Sequence, residues 1–229
     1  VEKKMNSIKE ELVKYSKLLS EKNMVIGPGG NTSVRIGEYM YIKPSGVSFS
    51  EMGIADLVEV EISSGKVTPH QKGYRPSSEV LMHLYLYQIR DIHCIFHAHP
   101  PMVNGLVCGN VEIKHIFPDS VVYLGKNIKI LDYCTPCGEK LAQFVKKNMT
   151  DELSLILKNH GAITVGDNPR VAFTRMELLE GLAYTEWIAL SSGTKFNEIN
   201  FLTVNDIDEI LNLESEKYRQ KLLKKKNDY

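Results

Sequence analysis

The chain has 229 residues, a length that suits one domain with a sizeable hydrophobic core. Its 28 Lys and Arg balance 28 Asp and Glu, and this net charge of +0 gives no general drive toward nucleic acid. No apolar run reaches the length of a membrane span, the Lys/Glu-rich N-terminal stretch lacks a signal-peptide pattern, and four cysteines in so long a chain do not make a disulfide framework; a cytoplasmic protein without a membrane partner is expected.

Ile8, Leu12, Tyr15, Leu18 and Leu19 recur at helical spacing between charges and predict a helix over 5–20. Met24-Val25-Ile26 then runs into the glycine-rich turn Gly27-Pro28-Gly29-Gly30. Strands are expected over 32–36, 39–42 and 57–62, separated by turn residues. Pro76-Ser77-Ser78 is a cap signal for a helix over 78–89. The apolar run Ile92-His93-Cys94-Ile95-Phe96 reads as a buried strand, which Pro100 and Pro101 stop. A short helix at 101–107, a strand at 127–131, a helix at 137–149 and strands at 153–157 and 162–165 follow. A long helix at 169–191 has Pro at its first turn, and a last, basic helix is expected from 205 to about 224. No repeat, low-complexity stretch or linker divides the chain. Residues 1–229 therefore read as one domain with a C-terminal helical tail from about 205, whose Lys224-Lys225-Lys226 run suits a solvated helix end.

The strand at 92–96 closes on His97-Ala98-His99. Side chains two apart on a strand share a face, so the two imidazoles stand side by side at a strand end, where sites in α/β architectures tend to lie. Such a pair suits a transition metal, zinc foremost, though an isolated H-x-H also suits ordinary hydrogen-bonded core histidines. His160, in Lys158-Asn159-His160-Gly161, also follows a strand and fits the third protein ligand that catalytic zinc commonly takes. The other reading of His160 is a turn histidine beside a glycine. His93 shares the facing of His97 but lies roughly 13–14 Å along an ideal strand, too far to hold the same ion. His70, His83 and His115 have no supporting neighbours in the sequence.

Glu79 lies in the first turn of the helix that follows Pro76, as a capping partner or as a general base near the metal. Gly27-Pro28-Gly29-Gly30-Asn31-Thr32-Ser33 matches neither a dinucleotide fingerprint nor a Walker loop, but its backbone N–H groups and Asn amide suit an anion. Lys43-Pro44-Ser45-Gly46 adds a cation and a hydroxyl, and Ser77 and Ser78 add hydroxyls at a helix N-terminus. Each is an ordinary turn alone; three together suggest a phosphate site. Cys134-Thr135-Pro136-Cys137 has no second pair and reads as a loop with incidental cysteines.

In order, Gly30-Asn31-Thr32-Ser33, Lys43-Pro44-Ser45-Gly46, Pro76-Ser77-Ser78-Glu79, His97-Ala98-His99 and Asn159-His160-Gly161 resemble the class II aldolase/adducin family, over about residues 8–192. The resemblance implies a three-layer α/β/α fold around a central, largely antiparallel sheet. It implies zinc, with manganese and cobalt as other ions a histidine-rich site accepts, held by His97, His99 and His160. Glu79 would be both a ligand of the resting metal and the catalytic base. Asn31, Ser45, Gly46, Ser77 and Ser78 would form the phosphate pocket. The implied activity is reversible cleavage of a ketose 1-phosphate, similar to L-fuculose 1-phosphate, into dihydroxyacetone phosphate and an aldehyde through a metal-stabilised enediolate. A homotetramer with active sites at subunit interfaces is implied as well.

Two places depart from the family pattern. Where fuculose-phosphate aldolases use a tyrosine of a neighbouring subunit to handle the aldehyde oxygen's proton, an ungapped count back from Gly125 places Asp119 rather than Tyr123. Tyr218 is the match to the tyrosine of a C-terminal tail that closes the site. Lys43-Pro44-Ser45-Gly46-Val47 is similar to the turn of the sugar-phosphate 4-epimerases, although Glu79 stands where those have Asp. Dehydratase and decarboxylase reactions on the same fold are further alternatives. A non-enzymatic, adducin-like interaction module would lose metal ligands, and this chain keeps three histidines and the glutamate.

Overall fold

The computed structural model describes residues 2–224. Alternating or continuous apolar segments form seven strands: β1 (Asn31–Ile36), β2 (Tyr39–Ile42), β3 (Val58–Glu61), β4 (Cys94–Ala98), β5 (Lys129–Leu131), β6 (Ser154–Leu157) and β7 (Gly161–Gly166). They make one sheet in the order β3-β2-β1-β4-β7-β6-β5. Every neighbouring pair is antiparallel except β5 with β6, as the expected architecture requires. The strand that carries the histidine pair, β4, is central, with Asn31 opposite His97 on one side and Ile163 opposite it on the other.

Helices cover both faces. Cys94, Phe96 and Ala98 of β4 pack with α1 (Glu2–Glu21), α3 (Pro101–Cys108), α4 (Pro118–Leu124) and α6 (Pro169–Ser191) through Leu12, Val103, Leu124 and Met176. Ile95, between them in sequence, turns to the opposite face. There Met82 and Leu86 of α2 (Val80–Ile89) meet Leu141 and Val145 of α5 (Gly138–Asn148). This is the period-2 alternation of a sheet buried on both sides, and each large side chain fully buried contributes roughly 1.5–3 kcal/mol.

The chain ends its described part in α7 (Val204–Asn212) and α8 (Glu214–Lys224). The one expected terminal helix is thus two. Leu213 adopts an extended conformation (φ −60°, ψ 133°), which ends the first, while Thr203 and Asp206 cap its start reciprocally. Helix α4 has no counterpart among the expected elements: its Val121-Val122 pair gives no helical signal, and its Pro118 at the first turn is the only local cue. Lys225 and Lys226 of the terminal basic run lie outside the described residues. Among the described residues no helix is long and apolar enough to cross a membrane.

Candidate metal centre and active site

His97 sits in the last turn of the pleat of β4, fully buried. Its Nδ1 lies 3.0 Å from the carbonyl oxygen of Ala162. That nitrogen must donate, which leaves a lone pair on Nε2. His99 follows just beyond the strand, held by its backbone N–H to Met24 O at 2.9 Å. His160 lies in the tight turn between β6 and β7, where Leu157 faces Gly161 and Asn159 takes a left-handed conformation (φ 57°). Gly161 makes this turn fit: a Cβ there would fall 2.7 Å from His99 Cδ2 and closer still to Ala98 O. Ring nitrogens of the three histidines all lie within 4.8 Å of one another, with His97 Nε2 and His99 Nε2 3.2 Å apart.

Glu79 immediately precedes α2 but caps nothing with its side chain. It turns inward, with Oε2 3.2 Å from His97 Nε2 and Oε1 3.3 Å from His160 Nε2. Asn31 Nδ2 donates to Oε2 at 2.8 Å. Burial alone would raise the Glu79 carboxyl; the imidazoles of His97 and His160 and the Asn31 amide outweigh it and hold the group well below the usual carboxylate range. Burial lowers His97 and His99, so they are neutral imidazoles, the form that binds metal. Glu79 Oε1 and His160 Nδ1 are buried and make no hydrogen bond. An unsatisfied buried polar atom costs roughly 1–3 kcal/mol, and a divalent cation among these donors would remove that cost for Glu79 Oε1. The donor set therefore fits a metal ion.

The three polar turns meet beside this cluster. Ser45 N donates to Arg75 O and Ser77 N to Lys43 O, which lays the turn at 43–46 against the turn at 75–78. Lys43 Nζ reaches back to Pro28 O at 2.9 Å and so joins the first turn to the second. Ser45, Gly46 and Ser78 are exposed and Ser77 is buried, its Oγ accepting from Glu79 N at 3.3 Å. Gly46 needs its φ of +77°, a conformation that favours glycine. Asn31 is placed differently from these: its buried side chain bonds Glu79 through Nδ2 and His83 through Oδ1.

Asp119 and Tyr218 are not brought to the histidines. Asp119, on α4, pairs with Arg219 of α8 at 2.6 Å, and Tyr218 is 65% exposed beside that pair in sequence. Among the described residues neither is bonded to the cluster. Cys137 is exposed, with its Sγ 3.2 Å from Ser78 Oγ, and Cys134 is buried; both are free.

Two residues matter more than their sequence context suggests. Lys43 is 2% exposed with no carboxylate ion pair among the described residues, and burial lowers its ammonium to about 8. Its signal is the odd charge that ends the apolar run Tyr41-Ile42 before a proline. His83 is fully buried in α2 and bonded to Asn31 and Ser33. Only the tertiary fold gives it neighbours.

The layered fold with a strand-end histidine cluster and a facing carboxylate defines a class of enzyme rather than a binding module. Residues 10–187 match the family model described as Class II Aldolase and Adducin N-terminal domain, and the chain belongs to the class II aldolase family, as an enzyme of the lyase class. It is 33% identical over 180 residues to the L-fuculose phosphate aldolase of Methanococcus maripaludis strain S2, covering 78% of this chain and 95% of that one. It is 30% identical over 188 residues to the 5-deoxy-D-ribulose 1-phosphate aldolase of Bacillus thuringiensis serovar kurstaki, covering 81% and 86%. A solved structure of an L-fuculose 1-phosphate aldolase aligns with a TM-score of 0.80 at 31% identity, over 93% of this chain and 96% of the other.

Proposed function

We propose that this chain is a divalent-metal aldolase, zinc foremost, that reversibly cleaves a ketose 1-phosphate to dihydroxyacetone phosphate and an aldehyde. The observation that carries this reading is the convergence of three imidazoles and the half-satisfied Glu79 carboxylate beside the joined polar turns. The 1-phosphate substrates in the names of its relatives support it.

His97, His99 and His160 would hold the ion, joined by Glu79 before substrate arrives. The ion supplies Lewis acidity that stabilises negative charge on the substrate's carbonyl and adjacent hydroxyl oxygens. Lys43, Ser45, Gly46, Ser77 and Ser78 bind the phosphate, and this contact, remote from the breaking bond, positions the reacting carbon. Glu79 Oε1, the oxygen without a hydrogen-bond partner, takes a proton from the hydroxymethyl carbon of dihydroxyacetone phosphate in condensation and returns it in cleavage. Asp119 of a neighbouring copy handles the proton on the aldehyde oxygen and Tyr218 closes the site, within a homotetramer in the cytoplasm. The exposure of both residues supports a role across an interface.

The test is to incubate the zinc-loaded protein with dihydroxyacetone phosphate and a panel of aldehydes. A ketose 1-phosphate is expected, lost on chelation and restored by zinc. Unphosphorylated dihydroxyacetone should be poorer by at least about 100-fold in kcat/KM, since remote binding drives the reaction. No ketose phosphate with any aldehyde would sink the aldolase reading.

A further inference from the structure

Behind Glu79 runs a buried file of polar side chains. Glu79, just before α2, and His83 and Tyr87 within it are spaced by four, which lines them up along one side of the helix. Asn31 and Ser33 are spaced by two along β1 and share one face of the sheet. The two rows interlock. Tyr87 OH lies 2.8 Å from Ser33 Oγ, Ser33 Oγ 2.7 Å from His83 Nδ1, His83 Nε2 2.5 Å from Asn31 Oδ1, and Asn31 Nδ2 2.8 Å from Glu79 Oε2. All five residues are buried.

We propose that His83 is a positioning residue for Glu79, acting through Asn31: its Nε2–H donates to Asn31 Oδ1 and turns the Asn31 amide N–H toward one oxygen of the Glu79 carboxylate. The role rests on the aldolase reading, in which that carboxylate is the base.

Only one polarity of the file satisfies every member. A carboxylate only accepts, so Asn31 must present its NH2 to Glu79 and its oxygen to His83. His83 must then carry its proton on Nε2 and accept at Nδ1 from the Ser33 hydroxyl, which in turn accepts from Tyr87. Reversed, the file would set Asn31 Oδ1 against Glu79 Oε2 with no proton between them. Full burial agrees with this direction: it lowers His83 to about 4, so the ring is neutral, and it raises Tyr87, so the phenol keeps its proton to give.

The consequence is an asymmetric carboxylate. Oε2 is tied to Asn31, while Oε1 has no hydrogen-bond partner and is left for metal and for proton transfer. A carboxylate anchored at one oxygen cannot rotate its two oxygens through each other's places without breaking the file. His83 thus fixes which oxygen meets the substrate's carbon and where.

Three substitutions separate this role from mere packing. Gln places an amide N–H where His83 has Nε2, Asn places one where it has Nδ1, and Leu places none. His83→Leu and His83→Asn should each lose about 10–100-fold in kcat and in zinc affinity, the effect typical of groups that orient a ligand from behind. KM for the phosphorylated substrate should change less than about twofold, because the phosphate turns are untouched. His83→Gln should stay within about threefold of the parent chain on both measures. Equal behaviour of the Gln and Asn variants would overturn the proposal.

A second readout needs no turnover and no variant beyond His83→Gln, used for assignment. In 15N-histidine NMR spectra of the parent protein, His83 should appear as the Nε2–H tautomer; an Nδ1–H tautomer would overturn the proposal even if the Leu variant fails to fold. Zinc affinity and tautomer report on the file even if no aldehyde gives product, which would be a failure of the aldolase reading alone.

Discussion

Glu79 and the three histidines are buried or partly buried and cluster together, whereas Asp119 and Tyr218 stand exposed on α4 and α8, where Asp119 pairs with Arg219. The first group comes from strand ends and the turns beside them, and the sheet that aligns the strands also aligns the ligands. The second group comes from outer helices, and among the described residues it makes no bond to the histidine cluster. A buried group is complete in itself; an exposed one takes its meaning from what docks there. The two sets belong to one proposed reaction, and that division of labour can be broken experimentally.

The largest effect is expected at the buried group. Glu79→Gln keeps the shape of the side chain but cannot take a proton, and kcat should fall about 10³-fold, within the usual span for a lost general base, while bound zinc is largely retained. Unchanged turnover would remove Glu79 as the base.

The exposed group is tested by complementation. Asp119→Ala alone should lower kcat by about 100-fold. Refolding this variant together with Glu79→Gln should restore activity above the sum of the two, since mixed assemblies contain sites with Glu79 from one copy and Asp119 from another. A mixture no more active than the sum would place Asp119's work, if any, within its own chain and collapse the contrast.

Lys43 gives the smallest effect and belongs to neither group. Burial disfavours its ammonium, so the cation is present below about pH 8 and is lost as pH rises through that value. kcat/KM for the phosphorylated substrate should therefore fall above about pH 8. In Lys43→Met it should be about tenfold lower at pH 7 and should lack that basic limb. An unaltered limb in the variant would assign it elsewhere.

Much of this was legible in the sequence. Apolar and alternating runs located all seven strands, and Pro169 opened α6 where it was expected. The strand-end placement of His97, His99 and His160 needed only the breaks at Pro100 and Gly161. What stayed hidden has physical reasons. Helix α4 is carried by tertiary packing of Val121 and Leu124, which overrides a weak local preference. The kink at Leu213 has no proline or glycine to announce it. His83 looked idle because its partners, Asn31 and Ser33, are brought to it by antiparallel pairing of β1 with β4 and by docking of α2. For the same reason the sequence did not show that Asn31, which reads as a phosphate contact in its turn, also donates an amide N–H to Glu79.

The tight turn that presents His160 has a mechanical consequence. His97 and His99 end the middle strand of the sheet, and His160 comes from the hairpin next to it, so one ion bound to all three would act as a rivet between a strand and a loop far apart in sequence. Such a rivet exists only in the folded chain, and at a hundredfold excess over its dissociation constant it would add about 2.7 kcal/mol to stability. The same atoms that make the centre reactive would then also decide how long the sheet stays closed when the protein is heated.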